Sequence, residues 1–300
     1  MRIKLIIAVL ALPLLAFGQV TIVAPPNPIS IGDGIRLTAP EFDADAAAYF
    51  IRAGVTDFSA KQKISSFVSG LKLQGLWGNS VCWPLIASQN AGTGSVIYSL
   101  GGLGVYSGTS TNGPTWGSEG MTFASASAQY VLTGLKLSTG SNYTVIGVAK
   151  YTNAAINFPC AVSAGASAAA QLYARGNGST AIYGDAWSFA GAGSAGQNDS
   201  TFSTLNRYMS LVAADSSSVA FWWNDLQYGL VAGDYRVGAG NTGRVTIGAA
   251  NTNDPGSSTL FRYNGTVSFA MICTVKLDAA QRTALYNLYK ATLGQGLGLP

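Results

Sequence analysis

From Val81 to Val275 the chain is written in short apolar runs, each rich in Val, Ile, Tyr, Phe or Trp and each closed by Gly, Ser, Asn or Thr. No other feature constrains the fold as much. The runs cover residues 81–87, 95–100, 121–124, 143–151, 161–163, 171–174, 187–190, 208–213, 219–223, 245–249 and 267–275. β-Branched and aromatic side chains suit a pleated, half-buried surface, and Gly, Ser and Asn supply the turns between such surfaces. A spacing of about ten residues with turn signals predicts an all-β sandwich or barrel. No repeat of roughly 33–45 residues is present, which argues against a propeller or solenoid. In the last run Val267, Phe269, Met271, Cys273 and Val275 share one face by period-two alternation.

Helical patterns flank the strand-like region. The first runs from Asp43 to Ala53, with Asp43 as N-cap and Gly54 just past the end. The second begins at Ser59, where Ser59 and Gln62 have capping-box spacing. Ile64, Phe67, Val68 and Leu71 then fall on one helical face, and Gly75 closes it. The short connection makes the pair an αα-hairpin. A final helix is predicted from Asp278 to Leu293, with Asp278 and Gln281 again spaced as a capping box and Leu285, Leu288, Tyr289 and Leu293 as its apolar stripe.

The amino terminus reads as a targeting segment. Arg2 and Lys4 precede an apolar run over residues 5–17, and Ala16-Phe17-Gly18 supplies small residues for cleavage after Gly18. That run is shorter than the ~20 residues a membrane-spanning helix needs. No cysteine follows it, so lipoprotein processing is set aside. The expected organisation is a signal peptide over 1–18, a proline-rich linker over 19–40, a helical hairpin over 41–78 and a β-sandwich with C-terminal helix over 79–300. The expected location is extracellular or periplasmic, with no membrane span after cleavage.

Charge narrows the partners. The 17 Lys and Arg face 13 Asp and Glu, and charged residues are only 10% of the chain, against roughly a quarter in an average protein. Removing Arg2 and Lys4 with the signal leaves 15 basic residues against 13 acidic ones. No basic cluster exists, so nucleic-acid binding has little electrostatic support. Histidine is absent, which removes Ser-His-Asp and Cys-His nucleophile systems and His-ligated zinc. No cofactor and no metal site is expected.

At its C-terminal end the stretch GRVTIGAANTNDPGSSTLFRYNGTVSFAMICTVKLDAAQRTALYNLYK resembles a laminin-G-like, concanavalin A-like lectin/glucanase jelly roll. Ile247-Gly248, Phe261, Gly265, Val267, Leu277, Gln281, Arg282, Leu285 and Tyr286 carry the likeness. Upstream, RYMSLVAADSSSVAFWWND resembles the family's paired strands and their turn, with Asn224-Asp225 where the family often has Asn-Gly. The resemblance covers about residues 81–293. The hairpin is similar to segments that precede such sandwiches in tailed-bacteriophage virion proteins and bacterial surface proteins. The resemblance implies a mainly β fold, a two-sheet antiparallel jelly-roll sandwich with an N-terminal αα-hairpin and a C-terminal helix. By local chemistry Asn264-Gly265 is a type I′ turn; the resemblance makes it a bulge within or at the start of one long strand. It also places the first and last strands side by side. Cys82 and Cys273 then become the candidate disulfide, although three free thiols, with Cys160, are expected.

Site candidates are few. Trp116, Trp222 and Tyr228 are candidate stacking aromatics. If Val219, Phe221 and Trp223 point into the sandwich, Trp222 points out beside Asn224 and Asp225, and an aromatic face next to amide and carboxylate groups is sugar-platform chemistry. The two glutamates, Glu41 and Glu119, form no close carboxylate pair of the kind retaining glycosidases use. Gly191 to Gly196 matches GxGxxG but lacks a following helix, so it reads as a β-β loop. Asn251 to Gly256 reads as a turn rather than a calcium loop. The expected function is a secreted, non-enzymatic recognition module for a glycan or a cell-surface partner. The alternative is a structural or virion component using the sandwich for protein contacts, with a glycoside hydrolase the least supported.

Overall fold

The computed structural model describes residues 29–31, 35–37, 41–151, 160–162, 173–177, 181–188, 191–198, 207–237, 243–251 and 259–300. Residues 1–18, read above as a signal peptide, and 252–256 lie outside the described residues. The chain divides into two compact units, Met1–Glu41 and Phe42–Pro300. In the first, β1 (Ile29–Ile31) and β2 (Ile35–Leu37) pair antiparallel. The second opens with α1 (Ala44–Ala53) and α2 (Phe58–Leu73). Its strands are β3 (Ser80–Pro84), β4 (Val96–Ile97), β5 (Gly108–Thr111), β6 (Thr115–Trp116), β7 (Met121–Phe123), β8 (Tyr130–Thr133), β9 (Tyr143–Tyr151), β10 (Cys160–Val162), β11 (Tyr173–Asn177), β12 (Ala181–Ser188), β13 (Gly191–Asn198), β14 (Tyr208–Ala214), β15 (Ser218–Trp223), β16 (Leu226–Ala232), β17 (Val245–Ile247), β18 (Ala249–Asn251), β19 (Thr259–Arg262) and β20 (Gly265–Cys273), and α3 (Ala279–Ala291) follows them.

Two antiparallel sheets make the sandwich. One has eight strands in the order β16-β15-β14-β9-β20-β7-β6, with β3 also paired to β20 beyond β7. The other has five, in the order β10-β17-β8-β5-β4. Val81, Trp83, Phe123, Val145, Val212, Phe221, Trp223 and Ile272 from the first sheet meet Ile97, Val131, Val245 and Ile247 from the second in one buried core. The predicted β-β loop at Gly191 to Gly196 is instead part of strand β13, paired along its length with β12.

A second core lies on the outer face of the eight-stranded sheet. There Cys82, Ile146, Val148, Met209, Leu211, Trp222, Phe269 and Met271 pack against Tyr49, Ile64, Phe67, Val68, Leu71, Leu285 and Tyr289 of the three helices. Phe269 sits between Phe67 and Tyr289, with ring centroids 5.5 and 4.8 Å away. The second unit is thus three-layered: helices, eight-stranded sheet, five-stranded sheet. This is why β9, β14 and β20 read as nearly continuous apolar runs, since both their faces are buried.

Strand β20 changes sides within its length. The register with β9 slips between Val267 and Phe269, leaving Ser268 as an extra residue. Val267 therefore faces the sandwich, whereas Phe269, Met271 and Cys273 face the helices. The expectation that all of them share one face is corrected by that bulge. Asn264-Gly265 makes no hairpin turn, because β19 pairs with β18 and Gly265 opens β20 at φ +149°.

The first and last strands of the sandwich are neighbours. Cys82 lies opposite Met271, and Cys273 opposite Ser80. Both thiols are free and fully buried. Burial pushes the Cys273 thiol up to about 12 and also raises Cys82 well above its ordinary value, with the neighbouring Cys273 adding to the effect. The side chain of Cys160 lies outside the described residues.

Local chemistry sets the helix ends. Asp43 caps α1, its carboxylate accepting from the N–H groups of Asp45 and Ala46. Lys72 of α2 bridges Asp43 at 2.8 Å and Asp45 at 2.7 Å, tying the two helices together. Burial tends to raise the Asp43 pKa, but Lys72 and the two N–H donors outweigh it and the net shift is downward. The predicted start of α2 at Ser59 is corrected: Asp57 is the cap, accepting from Ala60 N–H at 2.6 Å, and Ser59 lies inside the helix. Asp278 and Gln281 form the complete capping box of α3.

Candidate functional site

The aromatic platform expected at the β15–β16 turn does not form. Trp222 does lie on the face opposite Phe221 and Trp223, but that face is the one the helices cover, and Trp222 is only 9% exposed. The Arg282 guanidinium stacks 3.0 Å above its ring centroid. Burial lowers the Arg282 pKa to about 10, while Asp278 and Asp225 pull it the other way. Asn224 adopts φ +54°, and its Oδ1 accepts from Met209 N–H while its own N–H donates to Met209 O. Asp225 accepts the Thr283 hydroxyl at 2.5 Å. Asn224 and Asp225 therefore tie the turn to β14 and α3. Tyr228 is the extra residue where β16 slips in register against β15, and its side chain lies outside the described residues.

Trp116 is half-buried against the sandwich core, and its indole N–H donates to Gly94 O at 3.2 Å. Gly94 leads into β4, so this bond ties an edge strand of one sheet to the edge of the other. Glu119 is a counter-ion: its carboxylate accepts from Arg207 at 3.2 Å, and its carbonyl accepts from the Ser268 hydroxyl at 2.6 Å. Arg207 is 3% exposed and also donates to Leu297 O. Several described aspartates are similarly engaged, whereas Glu41 is exposed. Asp57, Asp215 and Asp278 hold backbone N–H groups, and Asp234 holds Arg236. Burial would raise the Asp215 pKa, but the Ser217 and Ser218 donors and Lys276 take it down to about 2. Among the described residues no group of three His, Cys, Asp or Glu could hold a metal ion, and no helix is long and apolar enough to cross a membrane.

An accessible surface lies instead on the outer face of the five-stranded sheet. Ile97 and Val131 point inward, so the alternate residues point outward. Val96 pairs with Thr109, and Thr109 with Leu132. Beside them Thr111 pairs with Tyr130. Thr109 is exposed, Val96 is 39% exposed, and Tyr130, Leu132 and Thr111 are half-buried. Further along the same row Thr246 is fully buried and bonds Ala249 O, so the open part of the face is its β8–β5–β4 side. The loop joining β4 to β5 lies against β3 of the other sheet and against α1. It is pinned by Leu100 N–H to Cys82 O, Leu103 N–H to Ser80 O and Trp83 Nε1 to Tyr106 O, yet it leaves Leu103 and Val105 exposed.

Sequence reasoning missed this face because β5 (GTST) looks like turn material and β8 (YVLT) is only four residues long. The signal that could have found them is alternation: Thr109 and Thr111 share one side, as do Tyr130 and Leu132.

No protein-family model and no curated protein sequence matches the chain. Among solved structures it is similar to Trypanosoma rangeli sialidase in complex with 2,3-difluoro-KDN, with a TM-score of 0.52 and 12% identity over 78% of this chain and 40% of that one. It is also similar to the CBM40 of the Ruminococcus gnavus IT-sialidase bound to α2,3-sialyllactose, with a TM-score of 0.40 and 12% identity over 49% of this chain and 84% of that one. A third is domain 4 of AbnA, a GH43 extracellular arabinanase from Geobacillus stearothermophilus, in complex with arabinotriose, with a TM-score of 0.42 and 14% identity over 69% of this chain and 87% of that one. At these identities the likeness is one of fold. The chain is a mainly β, two-sheet antiparallel sandwich with a C-terminal helix.

Proposed function

We propose that the protein is an exported, non-catalytic carbohydrate-recognition module, and that it binds through the β8–β5–β4 side of the five-stranded sheet. The observation that carries this reading is the asymmetry of the sandwich. Helices seal one outer sheet face, while the other presents a tyrosine ring, aliphatic side chains and threonine hydroxyls. A sugar offers an apolar ring face for stacking and hydroxyls for hydrogen bonds, and this surface offers the complement. Glu119 and the aspartates described above are occupied in caps and ion pairs, which leaves no close pair of free carboxyls among them and supports binding without hydrolysis; retaining cleavage needs two carboxyls ~5 Å apart. Residues 1–18 act in this reading as the secretion signal, and the intact mass of exported protein should begin at Gln19.

A glycan array probed with the secreted chain tests the proposal. Binding to defined oligosaccharides, without release of reducing sugar, is the expected result. Silence across the array would overturn it in favour of a structural, virion-type role through protein contacts. Hydrolysis lost in Glu119→Gln would overturn the non-catalytic part.

A further inference from the structure

Resting on the carbohydrate reading, we infer that the ligand of the β8–β5–β4 face is an uncharged glycan. The five strands of that sheet, CAV, VTI, YVLT, GTST and VI, contain no Asp, Glu, Lys or Arg. Along the chain, the only charged residue between Lys72 and Lys136 is Glu119, and its carboxylate is paired with Arg207. That stretch contains β4, β5, β8 and the loop between β4 and β5.

An acidic sugar needs a partner for its carboxylate. Proteins supply an arginine fork, a lysine or a cluster of N–H groups, because a carboxylate set against a surface without them loses hydration and gains nothing in return. Among the described residues, β4, β5 and β8 themselves offer no cation; Lys136 and Arg244 lie beyond Leu132, at the far end of β8 from Tyr130. The face has instead the Tyr130 ring, the aliphatic side chains of Val96 and Leu132, and the hydroxyls of Thr109 and Thr111, which act as both donors and acceptors. The Tyr130 hydroxyl makes no hydrogen bond within the described residues. Such a set matches a neutral pyranose or furanose, with C–H groups against the ring and hydroxyls against hydroxyls.

The test is a binding titration of the secreted chain with neutral oligosaccharides, and with sialylated and uronic-acid ones, at about 0.05 M and about 0.5 M NaCl, where screening of charge differs strongly. The expected result is binding to neutral glycans that changes by less than about twofold with salt. Tyr130→Ala should weaken it about tenfold and Tyr130→Phe by no more than about threefold. Thr109→Arg, at an exposed position, should occlude the face and weaken binding about tenfold or more, with an unchanged melting temperature showing that the variant is folded. Preference for acidic glycans, or binding that falls several-fold with salt, overturns the inference and leaves the carbohydrate reading standing. Neutral-glycan binding untouched by Thr109→Arg overturns the assignment to this face. Binding to neither class overturns the carbohydrate reading and the inference with it.

Discussion

Trp222→Ala is expected to lower the unfolding free energy by about 3–5 kcal/mol, the range for emptying a buried aromatic site. The melting temperature should fall by on the order of 10 °C for a unit of this size. Two losses combine. The indole leaves a cavity between β15 and the helices, where it is now packed among Leu285 and its neighbours. The Arg282 guanidinium loses the ring it stacks on and remains buried, bonded through Nε to Asp278 O. Binding of glycan by the protein that remains folded should be unchanged, because the residue lies on the sealed side of the sheet. A thermal scan that overlays the parent would refute the buried placement.

Gly120→Ala should be similarly severe, at about 3 kcal/mol or more, for a different reason. Gly120 has φ +145°, and a Cβ there would stand 2.3 Å from Val267 O and 2.9 Å from Ser268 Cα. Those are backbone atoms of the β20 bulge, and they have little room to move. Val267 is held by β7 on one side and β9 on the other. Ser268 accepts from Leu85 N–H at 2.9 Å and donates to Glu119 O at 2.6 Å. Equilibrium denaturant unfolding measures the effect, and a midpoint within error of the parent would show that the bulge is softer than its contacts imply.

These two positions show what was legible in the sequence and what was not. The caps at Asp43 and Asp278 could be read locally, because a cap is chemistry within four residues. The start of α2 is misplaced by that rule, since the Ser59–Gln62 spacing satisfies it as well as Asp57 does two residues earlier in the structure. Alternation correctly set Trp222 opposite Phe221, but period two says which residues share a face and nothing about what covers it. The helices that cover it come from both ends of unit 2, beyond the reach of any local pattern. Ser268 escaped notice because a bulge adds one residue to a run that stays apolar on both sides. The open face was hidden for the reverse reason: its strands are short and carry threonine and glycine where a buried strand carries valine.

The two cores share a backbone. Strands β3, β9, β14, β15 and β20 line the sandwich with one side and the helical layer with the other. Each hydrogen bond between them is therefore protected by two bodies of apolar side chains, and opening it exposes both to water. Loss of one layer would expose apolar side chains of the other's strands, so the helical layer and the sandwich are expected to unfold together, as coincident transitions by different probes would show. The change of texture near residues 78–79, which in the sequence resembles a boundary, is not a place where the chain can be cut. Trimming there would strip α1 and α2 from the outer face of the eight-stranded sheet and leave its apolar residues to α3 alone.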